Sequence, residues 1–149
     1  DIDGTFVYGA YVLIGCIFLV AFAHSRRIPF IVKSIALFYV IRSMFVILTH
    51  IAPYPSHVII DPLSFFSRFF DFSGALFFSG HVGLPFLIAL VFWDNRVLRT
   101  SFISLAIILG TVSLMGHLHY SIDVLAAFFI TYSIYHLAER FFKKDKAMY

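Results

Sequence analysis

Charged residues are scarce in this chain of 149 residues, at 13% against about 25% in ordinary soluble domains. A domain this short has too high a surface-to-volume ratio to hide the 61% of its residues that are apolar, and its mean hydropathy is +0.94. A cytosolic globular protein and a disordered chain are both excluded, leaving an integral membrane protein. Cysteine is almost missing as well. Cys16 is the single one and lies inside an apolar run, so no intrachain disulfide can form and nothing follows about redox compartment. No Met opens the sequence, and Asp1-Ile2-Asp3 is not the basic start of a signal peptide. The chain is therefore expected to begin partway through a longer protein.

What is abundant is apolar runs of membrane-crossing length. A hydrocarbon core of about 30 Å needs about 20 helical residues. Five runs meet or approach that length: Thr5 to Ala23, Phe30 to Thr49, Ala75 to Trp93, Thr100 to Gly116 and Ser121 to Ala138. The third contains Pro85, where a kink is expected. Backbone groups in lipid must be satisfied within helices or closed barrels. The runs are continuous and do not alternate with period two, so the expected fold is an all-α membrane bundle forming a single domain over residues 1–149.

Charge sets the orientation. The sequence pI of about 9.1 would raise nucleic-acid binding for a soluble protein. Here the basic residues cluster in short turns between spans, the membrane-topology pattern, and no nucleic-acid partner is expected. Five spans put Arg26, Arg27, Lys33, Arg96, Arg99, Arg140, Lys143, Lys144 and Lys146 on one side, leaving Arg42 and Arg68 of the 11 basic residues. By the positive-inside rule that side and the C-terminus are cytoplasmic. The other side is periplasmic, lumenal or extracellular, in a bacterial inner membrane or a eukaryotic endomembrane or plasma membrane. It receives the one long connection, Ile51 to Gly74, which opens with Pro53-Tyr54-Pro55. Within it Phe65, Phe66, Phe69, Phe70 and Phe72 share one face of a possible short helix. That face suits an amphipathic segment in the headgroup layer or an aromatic plug against the bundle.

The polar chemistry collects on the non-cytoplasmic side. His50, His57, His81, His117 and His119 map there, while His24 and His136 map to the cytoplasmic side. Ionisable groups at membrane depth are costly and point to function. His119 and Asp123 are four residues apart, on one helical face with Cβ atoms about 5–6 Å apart. A carboxylate so placed orients the imidazole and stabilises its cation. His119 then suits a nucleophile or base, with His81 as an acid from a neighbouring span. Phosphoryl transfer needs an in-line nucleophile, a proton for the leaving oxygen and positive charge for the equatorial oxygens. His119, His81 and Arg42 fill those parts, and Gly80 lets backbone approach a phosphate closely. The histidines on this side lack cysteines or clustered carboxylates at metal-ligand spacing, so neither a metal nor another cofactor is expected.

Ser79-Gly80-His81 and His119-Tyr120-Ser121-Ile122-Asp123 resemble the second and third signatures of the type 2 phosphatidic acid phosphatase superfamily. The finer resemblance is to its sphingomyelin synthase-like branch. It is carried by His117 to Val124, Phe128-Phe129-Ile130-Thr131 and Tyr135-His136, and more loosely by Arg42 through Pro53-Tyr54-Pro55. The resemblance spans about Arg42 to His136. It implies a six-helix bundle with five spans visible here, and a phospholipid or lipid phosphate as substrate. It also implies His119 as the phosphoryl-accepting nucleophile supported by Asp123, and His81 as general acid. Ser79, Gly80, His117 and Arg42 are the accompanying phosphate-binding candidates. Two positions depart from the pattern. Ser113 stands where the superfamily has an arginine, which the branch itself also lacks. Ala75 stands where the branch has an aspartate, with Asp71 one helical turn earlier as a substitute.

The leading expectation is thus a lipid phosphatase or headgroup phosphotransferase working through phosphohistidine on the non-cytoplasmic face. A catalytically degenerate scaffold of the same fold is the alternative that Ala75 raises. A bis-histidine haem subunit using His50 and His117 is a third, which leaves the paired motifs unexplained.

Overall fold

The computed structural model describes residues 2–49, 77–117 and 119–149. Expectations that rest on His50, His57, Arg68, Asp71, Ala75 and the aromatic run of the long connection lie outside them. Among the described residues the secondary structure is helical, with no strand. The helices are α1 (Ile2–Ala23), α2 (Ile28–Leu48), α3 (Gly80–Val91), α4 (Arg96–Met115), α5 (Ser121–Phe141) and the short α6 (Lys143–Lys146). A 3-10 turn, Ser25–Arg27, joins α1 to α2.

Inward stripes at helical spacing build the bundle. On α2 the buried residues Phe30, Ser34, Phe38 and Arg42 recur every fourth position. On α5 they are Asp123, Val124, Ala127, Thr131, Ile134 and Ala138, and on α4 Phe102, Ala106, Leu109, Gly110 and Ser113. The opposite faces expose Phe18, Leu19 and Phe22 of α1, Ile107 and Ile108 of α4, and Leu125 and Phe129 of α5. Apolar surface turned outward on several helices at once is the mark of a bundle in lipid. Among the described residues three helical segments, Ser25–Leu48, Arg96–Met115 and Ser121–Phe141, are long and apolar enough to cross a membrane. The protein is an all-α integral membrane protein.

α3 differs from the span expected at residues 75–93. Its helix starts at Gly80 and ends at Val91, and its 12 residues give about 18 Å of length. It starts late because Phe78 has φ 69, a left-handed conformation through which a right-handed helix cannot propagate. It is buried nearly all round, from Val82 to Val91 with Phe86 half-exposed. α3 is therefore the central element, packed chiefly against α4 and α5 and also against α2 and α1. Association inside a membrane relies on close packing of small residues more than on hydrophobic burial. A Cβ on Gly83 would lie 2.6 Å from the Phe38 ring and 2.8 Å from Thr131 Oγ1, and one on Gly110 would lie 3.2–3.3 Å from Val124 and Val82. Pro85, inside α3, has no N–H to give the carbonyl of His81.

The cytoplasmic-side segments of the sequence reading meet at one end of the bundle. Arg27 forks onto Asp94 at 2.9 and 2.7 Å and donates to the carbonyl of Val91 at 2.8 Å. Its guanidinium also lies over the rings of Phe92 and Tyr149. Lys33 pairs with Asp145 at 2.7 Å, and Lys146 pairs with Glu139. The fork from Arg27 holds the Asp94 carboxyl below its ordinary value of 3.8, against the smaller opposing effect of burial. His24, edge-on to Phe92, and His136, beside Glu139, belong to this end.

Candidate active site

The site is built by two turns at the opposite end of the bundle. The first is Phe78-Ser79-Gly80. Phe78 is fully buried, with its ring 5.0 Å from that of Phe38. That packing holds a bulky residue in a backbone region normally left to glycine. The left-handed residue turns the chain into α3, so Gly80 and His81 fall in the first helical turn, where backbone N–H groups lack intrahelical acceptors.

The second turn leads from α4 into α5. α4 closes at Gly116, and His117 follows with φ 54, exposed. α5 begins at Ser121, and the Asp123 carboxylate reaches back so that Oδ2 accepts the N–H of Tyr120 at 2.9 Å. Asp123 thereby caps its own helix, the role an acidic residue fills at the third helical position. The same Oδ2 lies 3.8 Å from Nδ1 of His119, with side-chain exposures of 0% for Asp123 and 9% for His119. That separation is beyond a hydrogen bond and within an ion pair once the imidazole is protonated. Nδ1 is thus the imidazole nitrogen that faces Asp123.

A backbone bond joins the two turns: the N–H of Ser79 donates to the carbonyl of Asp123 at 3.5 Å. Arg42, buried on α2, donates from Nε to the carbonyl of Phe78 at 3.1 Å. Its guanidinium lies 3.5–3.8 Å from where a Cβ of Gly80 would be. His81 lies within electrostatic reach of both His119 and Arg42. His119, Asp123, His81, Arg42, Ser79 and Gly80 are thus gathered at one end of the bundle, with His117 at its exposed edge.

Arg42, Gly80 and His81 also line a narrow open cleft with Tyr39 and with Leu13, Ile14, Ile17 and Leu84 as its apolar walls. Tyr39 and the α1 wall were not singled out from the sequence. Tyr39 precedes Arg42 by three positions, which puts both on one face of α2, and that spacing was the available signal. Ser79 is fully enclosed and is not among the cleft-lining residues. Ser113 is buried and donates back to the Leu109 carbonyl at 2.8 Å, and Arg42 is the cation among the cleft-lining residues. No three His, Cys, Asp or Glu side chains converge among the described residues.

A helical membrane bundle with two histidines, a buried carboxylate and a buried arginine gathered at one end is suited to handling an anionic group at the membrane surface. Residues 73–140 match the family described as PAP2 superfamily C-terminal, which supports the type 2 phosphatidic acid phosphatase superfamily, a group that typically includes phosphatases. No curated protein and no solved structure matches the chain.

Proposed function

We propose that the protein is a lipid phosphate enzyme of the sphingomyelin synthase-like type, acting through a phosphohistidine on the non-cytoplasmic face. The observation that carries this reading is the bond between the Ser79 N–H and the Asp123 carbonyl. It ties together two turns that are 44 residues apart in numbering and that each carry a histidine suited to phosphoryl transfer.

In this reading the phosphate of the substrate sits against Arg42 and the first-turn N–H groups at Gly80, where the helix dipole favours an anion. His117 contacts the headgroup at the outer edge. His119 Nε2 attacks phosphorus, the bond from phosphorus to the lipid oxygen breaks, and His81 gives that oxygen a proton. Asp123 holds the imidazole and balances the positive charge it acquires. In the second half, an acceptor hydroxyl loses its proton to His81 and attacks phosphorus, and the P–N bond breaks. Water as acceptor gives a phosphatase, and a lipid hydroxyl gives a headgroup transferase. The hydrocarbon tails of the substrate lie between helices.

The test is incubation of the purified protein with a phospholipid panel, with and without ceramide and diacylglycerol. Free phosphate and new headgroup-bearing lipids are followed by mass spectrometry. Turnover to either product class supports the reading, and its absence across the panel with intact folded protein refutes it. Orientation is tested in parallel by cysteines at Ser121 and Lys144. Ser121→Cys should be labelled from the non-cytoplasmic side only and Lys144→Cys from the cytoplasmic side only.

A further inference from the structure

In the two joined turns, two enclosed polar atoms lack a hydrogen-bond partner among the described residues: the hydroxyl of Ser79 and Oδ1 of Asp123. Both residues have 0% exposure. Their backbones are bonded to each other, Ser79 N–H to Asp123 carbonyl, so the two unsatisfied side chains belong to adjoining positions. One is a donor and the other, as a carboxylate oxygen, an acceptor. Buried polar groups are almost always paired, with protein or with an enclosed water.

We propose that Ser79 is a positioning residue for the histidine pair. Its hydroxyl donates to Asp123 Oδ1, by rotation about its side-chain bond or through one enclosed water, and so fixes the carboxylate whose other oxygen faces His119. Asp123 is then held at both oxygens, Oδ2 by the Tyr120 N–H and Oδ1 by Ser79. This assigns Ser79 to the carboxylate and away from the phosphate. The assignment agrees with Ser79 being enclosed while its neighbours Gly80 and His81 line the cleft. Among the described residues His81 of α3 interacts electrostatically with His119 and with Arg42 of α2, and Tyr120 adjoins His119 and donates its N–H to Asp123. The catalytic consequence rests on the phosphohistidine reading; the contact itself does not.

The experiment therefore has a readout independent of turnover. Protein labelled at its histidine nitrogens is placed in lipid nanodiscs, and the His119 ring, assigned through His119→Gln, is titrated by NMR. Without the Ser79 donor the carboxylate is no longer held in place, and the oxygen that faces the imidazole at 3.8 Å turns away from it. Ser79→Ala should therefore move the His119 midpoint down, because an imidazolium that loses its opposite charge is less favoured. Ser79→Thr, which keeps the hydroxyl, should restore it. In an Asp123→Asn background Ser79→Ala should add no further shift. An unchanged midpoint in Ser79→Ala, or an equal shift in the Asp123→Asn background, overturns the proposal. If the double variant does not fold, the contrast between the alanine and threonine variants decides alone. In an active protein, Ser79→Ala should lower kcat with KM held, whereas raised KM with kcat held would return Ser79 to the phosphate. If the wild-type protein turns over no lipid phosphate, the functional reading fails and the titration still decides the role of Ser79.

Discussion

Arg42 Nε donates to the carbonyl oxygen of Phe78 at 3.1 Å, linking the middle of α2 to the one buried residue of the site with a left-handed backbone. The bond satisfies a carbonyl in the protein interior and holds a guanidinium beside Gly80. Arg42→Ala should thus cost twice. An orphaned buried carbonyl is worth about 1–3 kcal/mol of stability, and loss of a preorganised cation at a reacting phosphate is worth about 10²–10³ in rate. Arg42→Lys keeps the charge but not the planar fork, so it should recover part of the rate and little of the stability. Thermal unfolding in detergent, read beside lipid turnover, separates the two effects.

Gly83 makes a purely structural prediction. A methyl there would enter the Phe38 ring at 2.6 Å and Thr131 Oγ1 at 2.8 Å, at a point where α2, α3 and α5 converge. Gly83→Ala should destabilise the bundle by about 1–3 kcal/mol through overpacking. Pairing it with Phe38→Leu should recover part of the loss, because the ring is the nearest obstacle. A denaturation series on the two single variants and the double variant measures the recovery.

The end of the bundle assigned to the cytoplasm makes a prediction about pH. Arg27 favours the ionised form of Asp94 and so lowers its pKa, with its hydrogen bonds as the largest cause. A carboxylate whose folded value lies below its unfolded one adds stability above the unfolded value and loses it as pH falls through the folded value. The contribution is therefore full above the ordinary value of 3.8 and vanishes on further acidification. Asp94 is 65% exposed at its side chain, so solvent screening keeps the effect small. Asp94→Asn should flatten the acid limb of a stability curve and leave the neutral region nearly unchanged. An acid limb equally steep in the variant would show that other carboxylates set it.

What could be read from residues alone follows from local geometry. The i, i+4 relation of His119 and Asp123 needs only helical periodicity, and the spans needed only runs of apolar residues. The start of α3 needed more, because φ 69 at Phe78 is imposed by the rings of Phe38 and Phe45 packing around it. No propensity in Phe78-Ser79-Gly80 announces that turn. Asn95 could have been recognised as the cap of α4, where its side chain accepts from Val97 and Leu98; the span expected from Thr100 followed hydropathy and passed over it. The stacking of Arg27 on Tyr149 joins residues far apart in sequence and carries no local signature. Ser79 shows the limit most clearly. Its motif suggests a phosphate ligand, and only the structure shows that it is enclosed and does not line the cleft.

The division of labour between the two histidines is the most demanding prediction. If His119 accepts the phosphoryl group, His119→Ala should abolish the covalent adduct and turnover together. If His81 serves to protonate the leaving oxygen, His81→Ala should be far less damaging with an activated aryl phosphate, whose leaving group needs little protonation. General acid catalysis is worth about 10²–10⁴ in rate, so the gap between aryl and lipid substrates should be of that order. Asp123→Asn should retain the Tyr120 cap through its amide oxygen, and hence the fold. It should lose much of the activity, because an amide cannot balance a cationic His119 at 3.8 Å. Trapping of labelled phosphate by an alkaline denaturing quench, run beside steady-state turnover on both substrates, reads all three variants. An acid-labile adduct that survives His119→Ala and disappears in His81→Ala would reverse the roles. An adduct that survives both would remove phosphohistidine chemistry from this protein.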